Sequence, residues 1–343
     1  MRILYGVTGE GLGHAMRSRV VASHLRSQGH EVKLVASSRA FDYLGRYFTD
    51  IHQIPGFALA YSRGGIARLR SARRIGRSAR AALRESAELY RRPIAGFQPD
   101  ACITDFDSFS HVFGLLFDRP VISVDHHHVI DRCRHAREIR RGMRRELAFT
   151  RAVVRAKLPG CHHYVVTSFY RPPVKRRDTT LVGPILRPEV LGLEPTRGDH
   201  VLVYQTATRD LVAPLYAIPE QRFVVYGCGD GGTTANVTLR PFDEARFLAD
   251  LASARAVILN GGYTLMSEAL FLGKPVLSVP LRRHGEQQLN AAYLAALGLG
   301  RSAPYLDDLV IRDFLATCEP IERVAPGNSA ALSTIDHLLQ EIT

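Results

Sequence analysis

The sequence predicts an α/β fold built from two Rossmann-like domains that face each other across a cleft. Three observations carry this. Short Val/Ile/Leu-rich runs alternate with amphipathic stretches along the chain, the pattern of parallel strands covered on both faces. The alternation occurs twice. Between the two sets lies a Pro- and Arg-rich stretch, RPPVKRRDTTLVGPILRPE (171–189), where a domain boundary is expected. The predicted units are 1–180 and 181–328.

The elements follow in order. RILYGV reads as a buried strand, residues 14–28 as a helix stopped by Gly29, and EVKLVAS as the next strand. DACITDF (100–106) and PVISVDHH (120–127) are two more, separated by a helix-length piece, and HYVVTS (163–168) closes the first set. HVLVYQT (200–206), RFVVYGCG (222–229), NVTLRP (236–241), AVILNGG (256–262) and PVLSVP (275–280) repeat the pattern with helical segments between them. Ligands in such sheets bind beyond the carboxyl ends of the strands. The loops at 6–14, 104–111, 124–130, 205–210, 227–233 and 260–268 are therefore the candidate cleft walls.

Composition narrows the class. The chain has 343 residues, 46% hydrophobic and 23% charged, which suits two globular domains. No apolar run approaches the roughly 18 residues of a spanning helix, and the N-terminus lacks the apolar core of a signal peptide. Cys102, Cys133, Cys161, Cys228 and Cys318 are scattered, with no CxxC. That pattern suggests reduced thiols in a cytoplasm rather than a disulfide framework or a zinc site. The net charge of +12 is uneven: residues 1–180 hold 32 Lys+Arg against 15 Asp+Glu, and residues 181–343 hold 13 against 18. The first half thus suits an anionic partner: a membrane surface, a phosphorylated substrate or nucleic acid.

The first strand leads into GVTGEGLGHAMRS (6–18). Its glycines do not form a clean GxGxxG, and no acidic residue ends the EVKLVAS strand, so a dinucleotide site is disfavoured. Gly11 and Gly13 permit close approach by a ligand. His14 sits at the following helix N-terminus, where the dipole favours a neutral imidazole suited to general-base work. The bland alternative is a histidine that caps a turn. In the second half, Asn260-Gly261-Gly262 follows an apolar strand, and Thr264 begins a helix whose free amides and dipole suit an anion. Glu268 follows within two turns, and a carboxylate there can accept hydrogen bonds from a ribose diol. Glu286-Gln287 offers polar groups at the next strand end. In DHHHV (125–129), consecutive residues on a strand point to opposite faces, so three histidines cannot share one metal ion. One or two of them, His127 foremost, are expected on the acceptor side. No metal is expected.

These residues resemble the donor-binding segment of GT-B fold glycosyltransferases, both the plant and antibiotic transferases that use nucleotide sugars and the UDP-N-acetylglucosamine transferases of lipid II synthesis. The resemblance implies that Glu268, eight residues after Asn260, binds the nucleotide ribose, and that Glu286 and Gln287 bind hydroxyls of the donor sugar. It implies that backbone near Phe242 holds a uracil. GPILRPE (183–189) is similar to the joint that ends the first domain in that family, and 329–343 resembles the helix that crosses back to it. The family's phosphate-binding His is replaced by Asn260, and its second glycine-rich loop by YQTATRD, where Thr206 and Thr208 offer hydroxyls to phosphate. The first glycine-rich loop belongs to the acceptor half, with His14 at the position of the family's base. Asp105, in ITDFDSFSHV, stands where such enzymes keep the carboxylate that orients it. Asp107 rivals it, and Asp105 as a helix cap is the bland alternative.

Residues 63–92 carry ten arginines against Glu85 and Glu88, with Ile66, Leu69, Ile75, Ala79 and Leu83 at near-helical spacing. A second basic run spans 132–157. Such a helix either lies on an anionic membrane or docks its apolar face on the sheet; no nucleic-acid reader motif accompanies it. The expectation is a metal-independent, inverting transferase without a resident cofactor. It would move a sugar from a UDP-type donor to a hydroxyl of a hydrophobic or lipid-linked acceptor, in the cytoplasm or at its membrane face. A hydrolysing UDP-N-acetylglucosamine 2-epimerase, which would need more cleft carboxylates, and a non-catalytic nucleotide-sugar-binding subunit are the alternatives.

Overall fold

The computed structural model describes the chain except residues 10, 56–60, 63–64, 67–93, 95, 206–211, 229–230 and 343, and gives backbone alone for 61–62 and 65–66. Thr206, Thr208 and most of the Arg-rich 63–92 run lie outside the described residues.

The first half contains β1 (Arg2–Val7), α1 (Leu12–Ser27), β2 (Glu31–Ala36), α2 (Ser38–Leu44), β3 (Ile51–Gln53) and a two-rung ladder of β4 (Tyr61–Ser62) with β5 (Gly65–Ile66). There follow β6 (Ala101–Asp105), α3 (Ser108–Leu116), β7 (Val121–Asp125), α4 (Val129–Arg132), α5 (Arg144–Lys157), β8 (His163–Thr167) and β9 (Thr179–Val182). Seven of these strands form a parallel sheet in the order β3-β2-β1-β6-β7-β8-β9. Every residue of β6 and β7 is buried. Their apolar residues pack under helices on both faces, and the buried polar Thr104, Asp105, Ser123 and Asp125 lie toward their carboxyl ends.

The second half contains α6 (Pro188–Leu191), β10 (His200–Tyr204), α7 (Ala213–Tyr216), β11 (Arg222–Tyr226), β12 (Gly232–Thr234), β13 (Val237–Arg240), α8 (Glu244–Ser253), β14 (Ala256–Leu259) and α9 (Tyr263–Phe271). Then come β15 (Val276–Ser278), α10 (Gly285–Ala296), β16 (Gly300–Ser302), α11 (Asp308–Thr317) and α12 (Asn328–Glu341). The second sheet runs β12-β13-β11-β10-β14-β15-β16, parallel except for β12. The α/β class with two helix-covered, mainly parallel sheets is therefore the one expected.

Differences from the sequence reading are local. The strand expected over 120–127 ends at Asp125, and His126–His128 form the turn into α4. The Pro/Arg-rich stretch contains β9, an edge strand that runs two residues past the expected division at 180. The helix α12 packs Ala331, Ile335, Leu338 and Leu339 into the core of the first lobe, and His24 meets Asp336 at 2.8 Å. Where the chain returns, Gly183 and Gly327 cross backbone to backbone. A Cβ on Gly327 would lie 2.2 Å from the Gly183 carbonyl carbon, so neither position has room for a side chain.

Candidate functional site

The strand register builds the first half of the site. Val7 of β1 pairs with Asp105 of β6, so the carboxyl ends of these central strands lie side by side. The loop after β1 turns into α1, whose third residue is His14, and returns its ring to that level. His14 Nδ1 lies 2.7 Å from Asp105 Oδ1. A carboxylate only accepts, so Nδ1 carries the proton in this contact and Nε2 is the nitrogen turned away from Asp105. The His14 side chain is 12% exposed and that of Asp105 is fully buried.

Asp105 has two further partners that sequence reasoning missed. Arg17 donates to it from Nε at 2.9 Å and from Nη2 at 2.6 Å, and Ser18 Oγ donates at 3.0 Å. Burial alone would raise the Asp105 pKa, but the Arg17 guanidinium and then His14 hold it below the ordinary carboxylate value. Arg17 and Ser18 follow His14 by three and four residues on a helix, the spacing that shares a face, so the signal was present. Asp107, the rival, instead caps α3 by accepting from the Ser110 amide at 2.9 Å. Phe106, between the two, has φ +53, a strained backbone for a bulky residue. Its ring lies flat on His127, centroids 4.2 Å apart, and Lys157 Nζ sits 4.2 Å above it.

The three adjacent histidines diverge because they occupy a turn, not a strand. His127 stacks on His14, with centroids 5.2 Å apart, and reaches Glu286 Oε2 with Nε2 at 3.0 Å. His126 points between the lobes. His128 meets Asp125 at 2.7 Å. Glu286 was expected to face a sugar; here it is buried against His127. Burial would raise its pKa, but His127 holds it well below the usual range.

The rear half centres on the α9 N-terminus. Gly262 is the N-cap, no side chain caps the helix, and a Cβ there would meet nothing within 4 Å. Across from it, Gly13 comes so close that a Cβ would lie 2.3 Å from Thr264 Oγ1. The close approach expected at Gly13 is thus made to the opposite lobe; Gly11 faces open space. Asn260 Nδ2 donates to Gln205 Oε1 at 3.2 Å, and Gln287 Oε1 accepts from the Leu281 amide at 3.0 Å. Phe242 is 46% exposed beside Phe247. The placement of Glu268 departs from expectation: it is 2% exposed, and Arg187 Nε and Nη2 bind its two oxygens at 2.8 and 3.0 Å. Arg187, from the joint between the lobes, also bonds Glu244. This closes Glu268 off from the cleft. Arg187 was missed because nothing in GPILRPE marks which carboxylate its guanidinium reaches.

Two helix-covered, mainly parallel sheets, with a His–Asp pair beside the point where Gly13 of one lobe meets Thr264 at the uncapped helix terminus of the other, match a GT-B type of architecture. Residues 1–319 match Glycosyl transferase family 1, and the chain belongs to that family. An uncharacterised glycosyltransferase of Methanosarcina mazei is 24% identical over 345 residues, covering 89% of this chain and 86% of the relative. MurG of Acinetobacter baumannii has a similar structure, with TM-score 0.59, 16% identity and coverage of 99% of both chains. LpCGTa in complex with UDP superposes with TM-score 0.58 and 14% identity, covering 100% of this chain and 95% of that one. The protein is a GT-B glycosyltransferase.

Proposed function

We propose that the chain transfers a sugar from a UDP-type donor to an acceptor hydroxyl with inversion at the anomeric carbon. One observation carries this reading: a partly exposed imidazole oriented by Asp105 through Nδ1 stands next to Gly13, which meets Thr264 at the uncapped start of α9. The acceptor O–H gives its proton to His14 Nε2 as the oxygen bonds the anomeric carbon from one face. The bond from that carbon to the diphosphate oxygen breaks on the opposite face. Asp105 holds the tautomer and steadies the imidazolium. The first-turn amides of α9 take the charge that builds on the diphosphate, which gives metal-free chemistry. Glu286 is taken up by His127 and Gln287 by the Leu281 amide, so neither is assigned to the sugar. Glu268, closed off by Arg187, is not assigned to the ribose. UDP as the donor nucleotide rests on the likeness to LpCGTa, whose structure holds UDP.

A hydrophobic or lipid-linked acceptor is the second part of the proposal. Phe149 and Val153 of α5, with Arg145 one turn before Phe149, form an exposed apolar and basic face on the first lobe. Leu115, Leu116 and Phe117 are exposed at the end of α3. Such a face suits an anionic bilayer surface. Among the described residues, no helix is long and apolar enough to cross a membrane.

The test is UDP release from a panel of UDP-sugars, with and without hydrophobic hydroxyl acceptors, followed by mass analysis of the product. Acceptor-dependent UDP release with a glycosylated product supports the proposal. UDP release with a free, epimerised sugar and no acceptor dependence would instead indicate an epimerase.

A further inference from the structure

Asn290, on α10, is fully buried and reaches no ligand surface, yet it joins three segments from two lobes. Its Nδ2 donates to the Gly261 carbonyl at 3.2 Å. Its Oδ1 accepts from the Tyr170 hydroxyl at 3.0 Å and from His126 Nε2 at 2.8 Å. This sets the amide orientation, because a flipped Asn290 would turn its oxygen toward the Gly261 carbonyl. His126 also bonds the Thr167 carbonyl through Nδ1 at 2.7 Å, at the end of β8. Its ring lies flat on Tyr263, the first residue of α9, with centroids 3.8 Å apart and planes within 5°. Tyr170 stacks in the same way on Tyr293, one turn after Asn290, at 3.9 Å. Both His126 nitrogens face oxygens. Burial lowers the His126 pKa and Glu286 offsets this only in part, so the ring is held neutral and carries one proton between the two contacts.

Gly261 is the middle of the loop that aims α9 at the cleft. Its φ is +97, and a Cβ there would press on the Gln287 carbonyl and Ser278 Oγ, both at 3.0 Å. The loop is therefore held in one shape, and the peptide that is held is bonded to a residue reporting on the other lobe. We propose that Asn290 and His126 are positioning residues for the donor. They carry the placement of the first lobe, through the Gly261 carbonyl and the Tyr263 ring, to the amides that open α9. The donor site is then complete only when the lobes are docked. This rests on the reading of the α9 terminus as the diphosphate site.

The experiment uses the full chain with Asn290→Ala, His126→Phe and Tyr170→Phe. Phe at 126 keeps a flat ring on Tyr263 and removes both hydrogen bonds. Amide hydrogen exchange is measured across residues 259–271 and across β10, and UDP affinity by calorimetry. Loss of the bond to Gly261 should speed exchange of the hydrogen-bonded Met266–Ala269 amides of α9 about tenfold and weaken UDP by a similar factor. The β10 amides should be unchanged. His126→Phe should act at the same amides although the change is on the other lobe. Folded variants with wild-type exchange at 266–269 would overturn the proposal, as would a uniform rise across the second sheet, which marks general destabilisation. If Asn290→Ala does not fold, His126→Phe and Tyr170→Phe decide by the same readout. A wild-type chain that does not bind UDP, with 266–269 still responding to His126→Phe, would leave the coupling standing and remove the donor reading.

Discussion

Four hydrogen bonds converge on Asp105, and only one of them comes from His14. Arg17 is its counter-ion inside the protein, so the carboxylate enters the reaction already neutralised and acts chiefly by fixing the imidazole. The two members of the pair should therefore fail differently. His14→Ala removes the base but no buried counter-ion, and its thermal midpoint should stay near wild type. Asp105→Ala strands the buried Arg17 charge, which costs about 3 kcal/mol or more, and scanning calorimetry should show the loss. Asp105→Asn keeps the volume but mis-sets the tautomer, and turnover should fall by about 10²–10⁴ in steady-state assays. Equal midpoints for the His14 and Asp105 alanine variants would contradict this division of labour. The His–Asp pair was legible because both residues sit in recognisable loops at strand ends. Arg187–Glu268 was not, because no motif marks Arg187 and the pairing depends on how the joint enters the second lobe.

At the scale of elements, the N-terminal ends of α1 and α9 meet with no space to spare between Gly13 and Thr264. Gly13→Ala should push the two helices apart and raise the donor KM several-fold. Thr264 is β-branched and stiff at χ1, so it cannot simply swing away. Adding Thr264→Ala should restore most of the loss, and the non-additivity of that double-mutant cycle is the measured quantity. Additive effects would show that the two residues do not share the contact. The central strands were readable for a physical reason: buried on both faces, they are rich in Val, Ile and Leu except near their carboxyl ends. The edge strands β9 and β16, TTLV and GRS, were not. Each is short and only partly buried, and such a strand is held by the neighbour it pairs with rather than by a pattern of its own. The histidine run misled by one step. Treating 126–128 as strand gave the right divergence of the rings for the wrong reason, since a turn disperses them instead.

Across the whole molecule, the lobes are tied by charge as well as by packing. His127 on the first lobe meets Glu286 on the second, and Arg19 meets Glu189. Asp105 and Glu286 are both held below their ordinary pKa in the folded chain. The stability they contribute is full above about pH 4.5 and is lost as pH falls through their depressed folded values. Urea midpoints followed downward from pH 6 should therefore fall, and Glu286→Gln should flatten that fall. A profile unchanged by the substitution would remove Glu286 from the account. The excess positive charge of residues 1–180 predicts co-sedimentation with anionic liposomes at low salt that weakens as salt rises; no binding at low salt would end the membrane proposal. The central claim is that His14 is the base working toward a donor held by α9. It is tested most directly by comparing turnover and UDP affinity of His14→Ala with wild type at matched thermal midpoints. The account predicts a loss of kcat of about 10²–10⁴ with UDP affinity unchanged, whereas a variant that turns over within a few-fold of wild type would contradict it.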